Sequence, residues 1–338
     1  MRVLELQPGF GLERLCMTRR PDPEPGPGQV VIRLRAASLN YRDLLMVRGE
    51  YNPRQPLPLI PCSDGVGEVV AVGEDVTRVG LGDRVAPIFA QAWIAGDPSR
   101  EKLQSTLGGP LDGTLAELML VDPSALVHVP DHLTDVEAAC LPCAGVTAWS
   151  ALMTLGGLKR DQTVLIQGTG GVSIFALQFA ALAGARTIVT SSSDEKLERA
   201  RGLGAWETIN YRDVENWDRQ ALRLTDGNGV DHVVEVGGAG TLARSLAAVR
   251  FGGTVSMIGV LSGAVSKLII TPILMRQIRV QGILVGSREG FEAMNEAVAE
   301  SGSKPVVDRV FDLEQTREGL EFLASGDHFG KICIRFPA

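Results

Sequence analysis

The feature that most constrains the fold of this chain is the segment VLIQGTGGVS at residues 164–173. Its apolar first half predicts a buried strand, and the apolar spacing of the residues that follow predicts a helix directly after the glycines. In a dinucleotide site the first glycine permits a tight turn, the second lets the backbone approach the pyrophosphate, and the helix N-terminus favours negative charge. Gly168 and Gly170 stand at those two positions. The segment therefore predicts a nucleotide-binding strand, turn and helix.

The third glycine of the dinucleotide pattern is replaced by Ser173, so a purely structural turn in an unrelated α/β protein is the alternative interpretation. A second apolar strand that ends near Thr190 favours the dinucleotide interpretation. Apolar strands alternate with candidate helices through this part of the chain, which predicts a parallel sheet covered on both faces. The expected strands are 163–167, 187–190, 230–236 and 253–259, and the expected helices are 172–183, 194–203 and 241–249. The first third, rich in turns and β-branched runs, is predicted to be mainly β.

The residue at the end of the second strand bears on the choice of nicotinamide cofactor. A site specific for NAD places a carboxylate there for the ribose hydroxyls, whereas this chain has Ser191. No anion then repels the 2′-phosphate of NADP, which Lys196 and Tyr211 could also reach. We therefore expect NADP(H) to be preferred, with NAD(H) as the second choice. The structural alternative is that Ser192 and Glu195 form a capping box at the start of the next helix.

Composition sets the broad class of protein. The chain has 338 residues, which exceeds the ~250 to 300 at which a single core stops growing, so about two domains are expected. With 45% hydrophobic and 22% charged residues, it is typical of a globular protein. A net charge of -7 gives no general attraction to phosphate backbones or anionic membranes. Nucleic acid and membrane are therefore not expected as partners.

The N-terminus and the cysteines predict a cytoplasmic protein. Glu5 and Pro8 interrupt the first residues, which excludes the apolar core of a signal peptide there. The most apolar stretches, at 164–183 and 268–275, are interrupted or too short for the roughly 20 residues of a membrane helix. Five cysteines form an odd and sparse set, which fits a reducing compartment better than a disulfide framework.

Several ordered segments together resemble the medium-chain dehydrogenase/reductase superfamily, in particular its zinc-independent quinone-oxidoreductase-like branch. They span essentially the whole chain: SLNYRD at 38–43, GVGEVVAVG at 65–73, GDRV at 82–85, LPCAGVTAW at 141–149, the glycine turn, the Gly252-Gly253 pair before a strand that ends at Gly259, and HFGK at 328–331. The resemblance implies an α/β fold in which a Rossmann domain with a doubly wound parallel sheet, residues 145–285, is inserted into a β-rich GroES-like catalytic domain, residues 1–144 and 286–338. It also implies hydride transfer in the cleft between the domains, and a homodimer formed through a strand at 278–285.

The resemblance also assigns candidate site residues. Asn40 and Tyr41 would hydrogen-bond the substrate or the nicotinamide, and Asp43 would orient them. The alternative for Asp43 is a salt bridge to Arg42 or Arg48 that fixes the loop. The expected cofactor-binding residues are Thr147, Gly168, Gly170, Gly171, Val172, Ser191, Ser192, Lys196, Tyr211, Gly259, Val260, Val285, Gly286, Ser287 and Lys331.

Residues that would hold a catalytic zinc ion differ in this chain. The zinc alcohol dehydrogenases that it otherwise resembles carry a Cys where this chain has Asn40, a His-Glu pair where it has Ser63 and Asp64, and another ligand near Cys143. A catalytic zinc needs three good protein ligands, and an amide and a hydroxyl are poor ones. We therefore expect no zinc. The CxxC pair of Cys140 and Cys143 lacks the second pair of a metal ribbon, so it is predicted to pack in a helix.

Without zinc, the reaction that the resemblance implies is hydride transfer to a small conjugated carbonyl compound or a quinone. Hydride would go to the β carbon, and a proton to the α carbon or the oxygen. Two alternatives stay open: a low-turnover nucleotide-binding sensor or structural protein of the same fold, and an alcohol dehydrogenase acting on a small alcohol or aldehyde. The loops at 48–59 and 88–110, which would line the substrate pocket, do not identify the acceptor.

Overall fold

The computed structural model describes residues 1–337, and the chain divides into two compact units. The split unit comprises Met1–Val146 together with Val285–Ala338. The inserted unit runs from Thr147 to Leu284, where the sequence analysis expects residues 145–285.

The first stretch of the split unit is mainly β. Its strands are β1 (Arg2–Leu6), β2 (Leu15–Arg19), β3 (Val30–Leu39), β4 (Asp64–Val72), β5 (Arg84–Pro87), β6 (Leu118–Val121) and β7 (Leu126–His128). Its helices are short: α1 (Tyr41–Val47), α2 (Arg100–Leu103) and α3 (Asp135–Ala138), with 3₁₀ turns at Leu12–Arg14 and Pro123–Ala125. All residues of β3 except Arg33 and Arg35 are buried, because this strand is apolar on both faces and lies inside its sheet.

The inserted unit alternates strands and helices. The chain enters it through α4 (Val146–Trp149), which π-helical turns flank at Leu141–Gly145 and Ser150–Thr154. The strands are β8 (Thr163–Gln167), β9 (Arg186–Ser191), β10 (Glu207–Asn210), β11 (Val230–Glu235), β12 (Val249–Met257) and β13 (Arg279–Gly282). The helices are α5 (Gly171–Leu182), α6 (Asp194–Gly202), α7 (Trp217–Leu224), α8 (Leu242–Ala248) and α9 (Thr271–Met275).

The helical segment from Asp135 to Thr154 is apolar and long enough to cross a membrane, but 72% of its apolar window is buried, as in the core helices of many proteins.

All six strands of the inserted unit form one parallel sheet in the order β10-β9-β8-β11-β12-β13. The chain order reverses between β8 and β11, which is the switch point at which doubly wound sheets bind ligands. Every residue of β8 is buried, and Leu165, Ile188, Val233 and Val255 pack into one core on a face of the sheet. The predicted α/β fold with a Rossmann sheet is therefore confirmed.

The C-terminal stretch completes the split unit. It contains α10 (Arg288–Ser301), β14 (Val307–Asp312), a 3₁₀ turn at Leu313–Gln315, α11 (Thr316–Ser325) and β15 (Lys331–Arg335). Its strands extend the main sheet, whose order is β14-β15-β3-β4-β5-β7 with β6 also paired to β3. Because β15 is antiparallel to β3 with Ile332 opposite Leu39, Lys331 comes to the end of β3.

Two elements of the inserted unit differ from the sequence expectation. β12 begins before Gly252 instead of after Gly253, and the register of its pairing with β11 shifts there. Gly252 accommodates this bulge because its φ of +67° lies in the left-handed region that favours glycine. β12 also ends at Met257, before Gly259, and β13 covers only four residues of the expected strand at 278–285.

Candidate active site

The glycine-rich turn joins β8 to α5 in the inserted unit. Gly168 has a φ of +72°, which a side chain would strain, so the tight turn depends on this glycine. Gly170 is the N-cap of α5 and has no side chain to cap the helix. Within residues 1–337, no side-chain capping hydrogen bond is made at this helix N-terminus. Gly171 and Val172 are the first residues of α5. The first-turn N–H groups and the positive end of the helix dipole fit the pyrophosphate of a dinucleotide.

Ser173 takes the place of the third glycine without disturbing the packing of α5 on β8. Its side chain is buried, and its Oγ donates to the backbone oxygen of Gln167 at 2.7 Å. A satisfied hydroxyl of this size costs little when it is buried, because the hydrogen bond replaces the one lost to water. The serine is therefore compatible with the dinucleotide interpretation of the turn.

A buried carboxylate at the end of β11 organises the neighbouring loop, and the sequence analysis missed it. Glu235 Oε2 accepts from Gln167 Nε2 at 2.7 Å and from Ser245 Oγ. Its Oε1 accepts from the backbone N–H groups of Gly237 and Gly238, both at 2.9 Å. The available signal was a charged residue directly after the apolar pair Val233-Val234 at the end of a predicted strand. Glu235 thus ties the ends of β8 and β11 together at the switch point.

The end of β9 presents a serine and no carboxylate. Ser191 is buried, and its Oγ accepts from the backbone N–H of Ser193 at 3.3 Å. Tyr211, whose side chain is exposed, donates its backbone N–H to the Ser191 carbonyl at 3.0 Å. The nearby carboxylate of Asp194 accepts from Asn210 Nδ2 at 2.8 Å. Asp194 therefore has a partner of its own in this loop.

The cap of α6 corrects one sequence expectation. Ser193, and not Ser192, is the N-cap, and its Oγ accepts from the backbone N–H of Lys196 at 3.4 Å. The capping box of Ser192 with Glu195 is therefore wrong by one residue, because α6 begins at Asp194 and places its third residue at Lys196. Ser192 is half-buried.

A second candidate site lies in the split unit, where β3, β4 and β15 meet. Asn40 follows β3 as the N-cap of α1, and Ser63 precedes β4. Lys331 Nζ donates to Asn40 Oδ1 at 2.6 Å and to the Leu39 carbonyl at 2.8 Å. Asn40 Nδ2 lies 3.5 Å from Ser63 Oγ. Residues from three distant parts of the chain thus form one polar cluster, named here the Asn40 cluster.

The Asn40 cluster holds opposite charges in a buried place. Asp64 Oδ1 accepts from Ser63 Oγ at 2.8 Å, and Oδ2 accepts from the backbone N–H of Cys143 at 3.2 Å. Burial raises the pKa of Asp64 to about 6, although the charge of Lys331 opposes that rise. Burial acts to lower the pKa of Lys331, but the charge of Asp64 opposes this effect and the pKa is raised overall. Lys331 is therefore an ammonium at neutral pH.

Asp43 and Tyr41 lie in the first turn of α1. Asp43 is 1% exposed, its Oδ2 accepts from the Asn40 backbone N–H at 2.8 Å, and Arg42 Nη1 lies 3.4 Å from its Oδ1. Burial raises the pKa of Asp43, against the charge of Arg42. The carboxylate thus orients the Asn40 backbone while pairing with Arg42, and not with Arg48. Tyr41 is 39% exposed, so its ring is accessible.

The remaining expected cofactor residues lie in several places. Thr147 is buried at the start of the inserted unit. Gly259 follows β12, where a Cβ would lie 2.4 Å from the Val236 carbonyl, and Val260 next to it is exposed.

The other three expected cofactor residues are consecutive and open the second stretch of the split unit. Val285 has a φ of +51°, and Gly286 is half-buried. Ser287 is the N-cap of α10, and its Oγ accepts from the backbone N–H of Gly290 at 3.2 Å.

The groups of the Asn40 cluster do not fit a catalytic zinc ion. Asn40 Oδ1 already accepts from an ammonium, and Ser63 is a hydroxyl bound to Asp64. Burial and the charge of Asp64 raise the pKa of Cys143, whereas zinc takes the thiolate. Within residues 1–337 no group of three or more His, Cys, Asp or Glu side chains is placed to hold a metal ion.

Comparison with known proteins gave consistent matches over most of the chain. Residues 26–131 match the alcohol dehydrogenase GroES-like domain family, and residues 171–300 match the zinc-binding dehydrogenase family. A zinc-type alcohol dehydrogenase-like protein of Schizosaccharomyces pombe is 45% identical over 318 residues, 91% of each chain. A quinone oxidoreductase of Pseudomonas aeruginosa is 38% identical over 244 residues, 72% of this chain and 68% of that one. A solved NAD-dependent alcohol dehydrogenase, 34% identical, superposes with a TM-score of 0.91 over 99% of both chains.

Proposed function

This chain belongs to the medium-chain dehydrogenase/reductase superfamily and is an NAD(P)-dependent oxidoreductase, and from that premise we propose that it is a zinc-independent reductase of small conjugated carbonyl compounds or quinones. The observation that carries the proposal is the Asn40 cluster, which offers an amide held by a buried ammonium where zinc-dependent relatives are expected to hold their metal ligands. Hydrogen-bond donors of this kind suit an acceptor whose oxygen gains negative charge while hydride adds to carbon.

The residues of this chain supply binding and orientation in the proposed reaction. A bound nicotinamide cofactor supplies the hydride. The turn at Gly168 and the N-terminus of α5 bind its pyrophosphate, and Asn40 and Tyr41 donate hydrogen bonds to the acceptor or the nicotinamide. Asp43 keeps the Asn40 backbone in place. Apart from Lys331, the remaining expected cofactor residues stay proposals of the same kind.

We propose NADP(H) as the preferred cofactor and NAD(H) as the second choice. Ser191 supports this choice, since a hydroxyl can donate to a 2′-phosphate where a carboxylate would repel it. The hydrogen bond from Asn210 to Asp194 also supports it, because it holds that carboxylate against Asn210. The NAD-dependent relative is the reason to keep NAD(H) in view.

We also propose that the protein is a cytoplasmic homodimer. β13 is the last strand of its sheet, so its outer edge has N–H and C=O groups for another strand. Large apolar side chains in the segment that precedes β13 are exposed, including Val265, Ile270, Leu274 and Met275, and apolar surface of this kind suits a second copy. The five cysteines are free thiols, which supports a reducing compartment.

The second candidate function is oxidation of a small alcohol or reduction of an aldehyde, which the names of two relatives favour. The experiment that separates the two follows NADPH consumption with quinones, enones, enals and saturated aldehydes of matched size. The proposal expects turnover of the conjugated acceptors and little turnover of the saturated aldehydes. Tight NADPH binding with no turnover of any acceptor would favour a low-turnover nucleotide-binding protein.

A further inference from the structure

We propose that Lys331 is a positioning residue that fixes the side-chain amide of Asn40, so that the amide presents polarised N–H groups to the oxygen of the acceptor. The inference rests on the proposed function and deepens it, because it assigns a role to a residue that the sequence analysis expected to bind the cofactor.

The orientation of the Asn40 amide follows from its neighbour. The oxygen and nitrogen of an Asn side chain are similar in shape, so their placement is decided by hydrogen-bond partners. Lys331 Nζ has three donors and no acceptor, and it lies 2.6 Å from one end of the amide. That end must therefore be the oxygen, which leaves the N–H groups at the other end.

The charge behind the amide is held in a place where it acts strongly. Lys331 is 3% exposed, and its ammonium is also bound to the Leu39 carbonyl. Electrostatic interactions are stronger in such surroundings than in water, because little solvent screens them. A cation at the oxygen end draws electron density from the amide and makes its N–H groups better donors.

The nitrogen of Asn40 keeps donor capacity for a ligand. Its contacts with the Ser38 carbonyl and Ser63 Oγ are both 3.5 Å, which is long for an N–H···O hydrogen bond. The amide also donates toward the Asp64 carboxylate, so one of its two N–H groups has only these long contacts. Ser63 donates its own proton to Asp64, so it can only accept from the amide. Asn40 is also half-buried, while Ser38 and Ser63 are fully buried. It is thus the member of this group that a substrate oxygen can reach.

Two substitutions test the role of the amide directly. Asn40→Asp keeps an acceptor for Lys331 but has no N–H to offer, and we expect it to lower kcat by about a hundredfold, as loss of one oxyanion donor does. Lys331→Met keeps the length of the side chain and removes its charge, and we expect kcat to fall about tenfold with the Kd for NADPH little changed. Lys304→Met is the control for loss of an ammonium elsewhere, since Lys304 is exposed and its ammonium lies 3.9 Å from Glu137.

A double-mutant cycle separates positioning from a structural role. If Lys331 acts through Asn40, Lys331→Met should have almost no further effect on kcat in an Asn40→Ala background. Equal effects of Lys331→Met in both backgrounds would overturn the inference, as would wild-type kcat for Asn40→Asp. A rise in the Kd for NADPH with unchanged kcat would instead return Lys331 to the cofactor site.

A measurement without turnover keeps the inference testable if the proposed function fails. In nitrogen-15 NMR spectra, the side-chain amide signal of Asn40, identified by its loss in Asn40→Asp, should move in Lys331→Met and stay in place in Lys304→Met. An unmoved signal in Lys331→Met overturns the inference whether or not the protein turns over any acceptor. A moved signal in a protein with no turnover would leave the positioning intact and reject the proposed reaction.

Discussion

Ser63 Oγ donates to Asp64 Oδ1 at 2.8 Å, and neither residue has any exposed surface. Burial of Asp64 costs more than its hydrogen bonds and the nearby ammonium recover, so its pKa lies at about 6 in place of 3.8. The folded protein therefore binds a proton more tightly than the unfolded chain between these values, and the free energy of unfolding rises as pH falls through about 6 toward 4.

The first prediction compares wild type with Asp64→Asn across that pH range. Asn carries no charge, so its contribution does not change with pH. The free energy of unfolding of wild type minus that of the variant should therefore increase by up to about 3 kcal/mol as pH falls from about 7 to 4. Urea unfolding at several pH values measures the difference. If this free-energy difference does not change with pH, or if it decreases on acidification, the Asp64 carboxyl does not have this raised pKa.

The second prediction concerns the glycine turn. Gly170 has a φ of -78° and a ψ of -175°, an extended conformation open to any residue, so Gly170→Val should fold. Its branched side chain would stand at the N-terminus of α5 and block the pyrophosphate, so NADPH binding should be lost. Fluorescence titration checks this, with Gly80→Val, at an exposed glycine with open space around it, as the control. An unchanged Kd would make the turn purely structural.

The third prediction concerns the end of β9. Wild type should bind NADPH more tightly than NADH by about tenfold to a hundredfold, and Ser191→Asp should reverse this preference, because its carboxylate repels the 2′-phosphate and accepts from ribose hydroxyls. Titration of both cofactors into both proteins measures the ratio. Ser301→Asp is the control: it adds the same charge in the split unit and should leave the ratio of the Kd for NADH to the Kd for NADPH unchanged. Tighter binding of NADH by wild type would reject the assignment.

Local sequence patterns predicted the inserted sheet well. The apolar run VLI at 164–166 is typical of a buried strand, and the glycine at 168 is typical of a turn with a positive φ. The cap of α6 was wrong by one residue since Ser192 and Ser193 are chemically equal candidates, and the choice depends on where the strand before them ends.

Long-range pairing could not be predicted in the same way. The contact of Lys331 with Asn40 joins residues 291 positions apart, and it depends on the register between β15 and β3. The network around Glu235 likewise depends on β8 and β11 being neighbours in the sheet. No local periodicity encodes either pairing, so the chemistry of the Asn40 cluster became visible only in the structure.

The fourth prediction tests the proposed dimer. Val280 on β13 is 38% exposed, and Val280→Asp would place a charge in an interface formed by this edge. We expect the dimer to dissociate, because an unpaired buried carboxylate is strongly unfavourable. Light scattering after size exclusion gives the mass. Val310→Asp is the matched control, with equal exposure on the edge strand β14 of the other unit. The proposal would be contradicted if Val280→Asp and Val310→Asp were both monomeric, or if wild type were itself monomeric.

The central claim is that this oxidoreductase reduces conjugated acceptors without zinc. The most direct test is to measure NADPH oxidation with quinones, enones and enals on enzyme dialysed against a chelator, together with its zinc content by elemental analysis. The account predicts full retained activity and far less than one zinc per chain. Loss of activity on chelation that zinc restores, or one zinc per chain after dialysis, would contradict it.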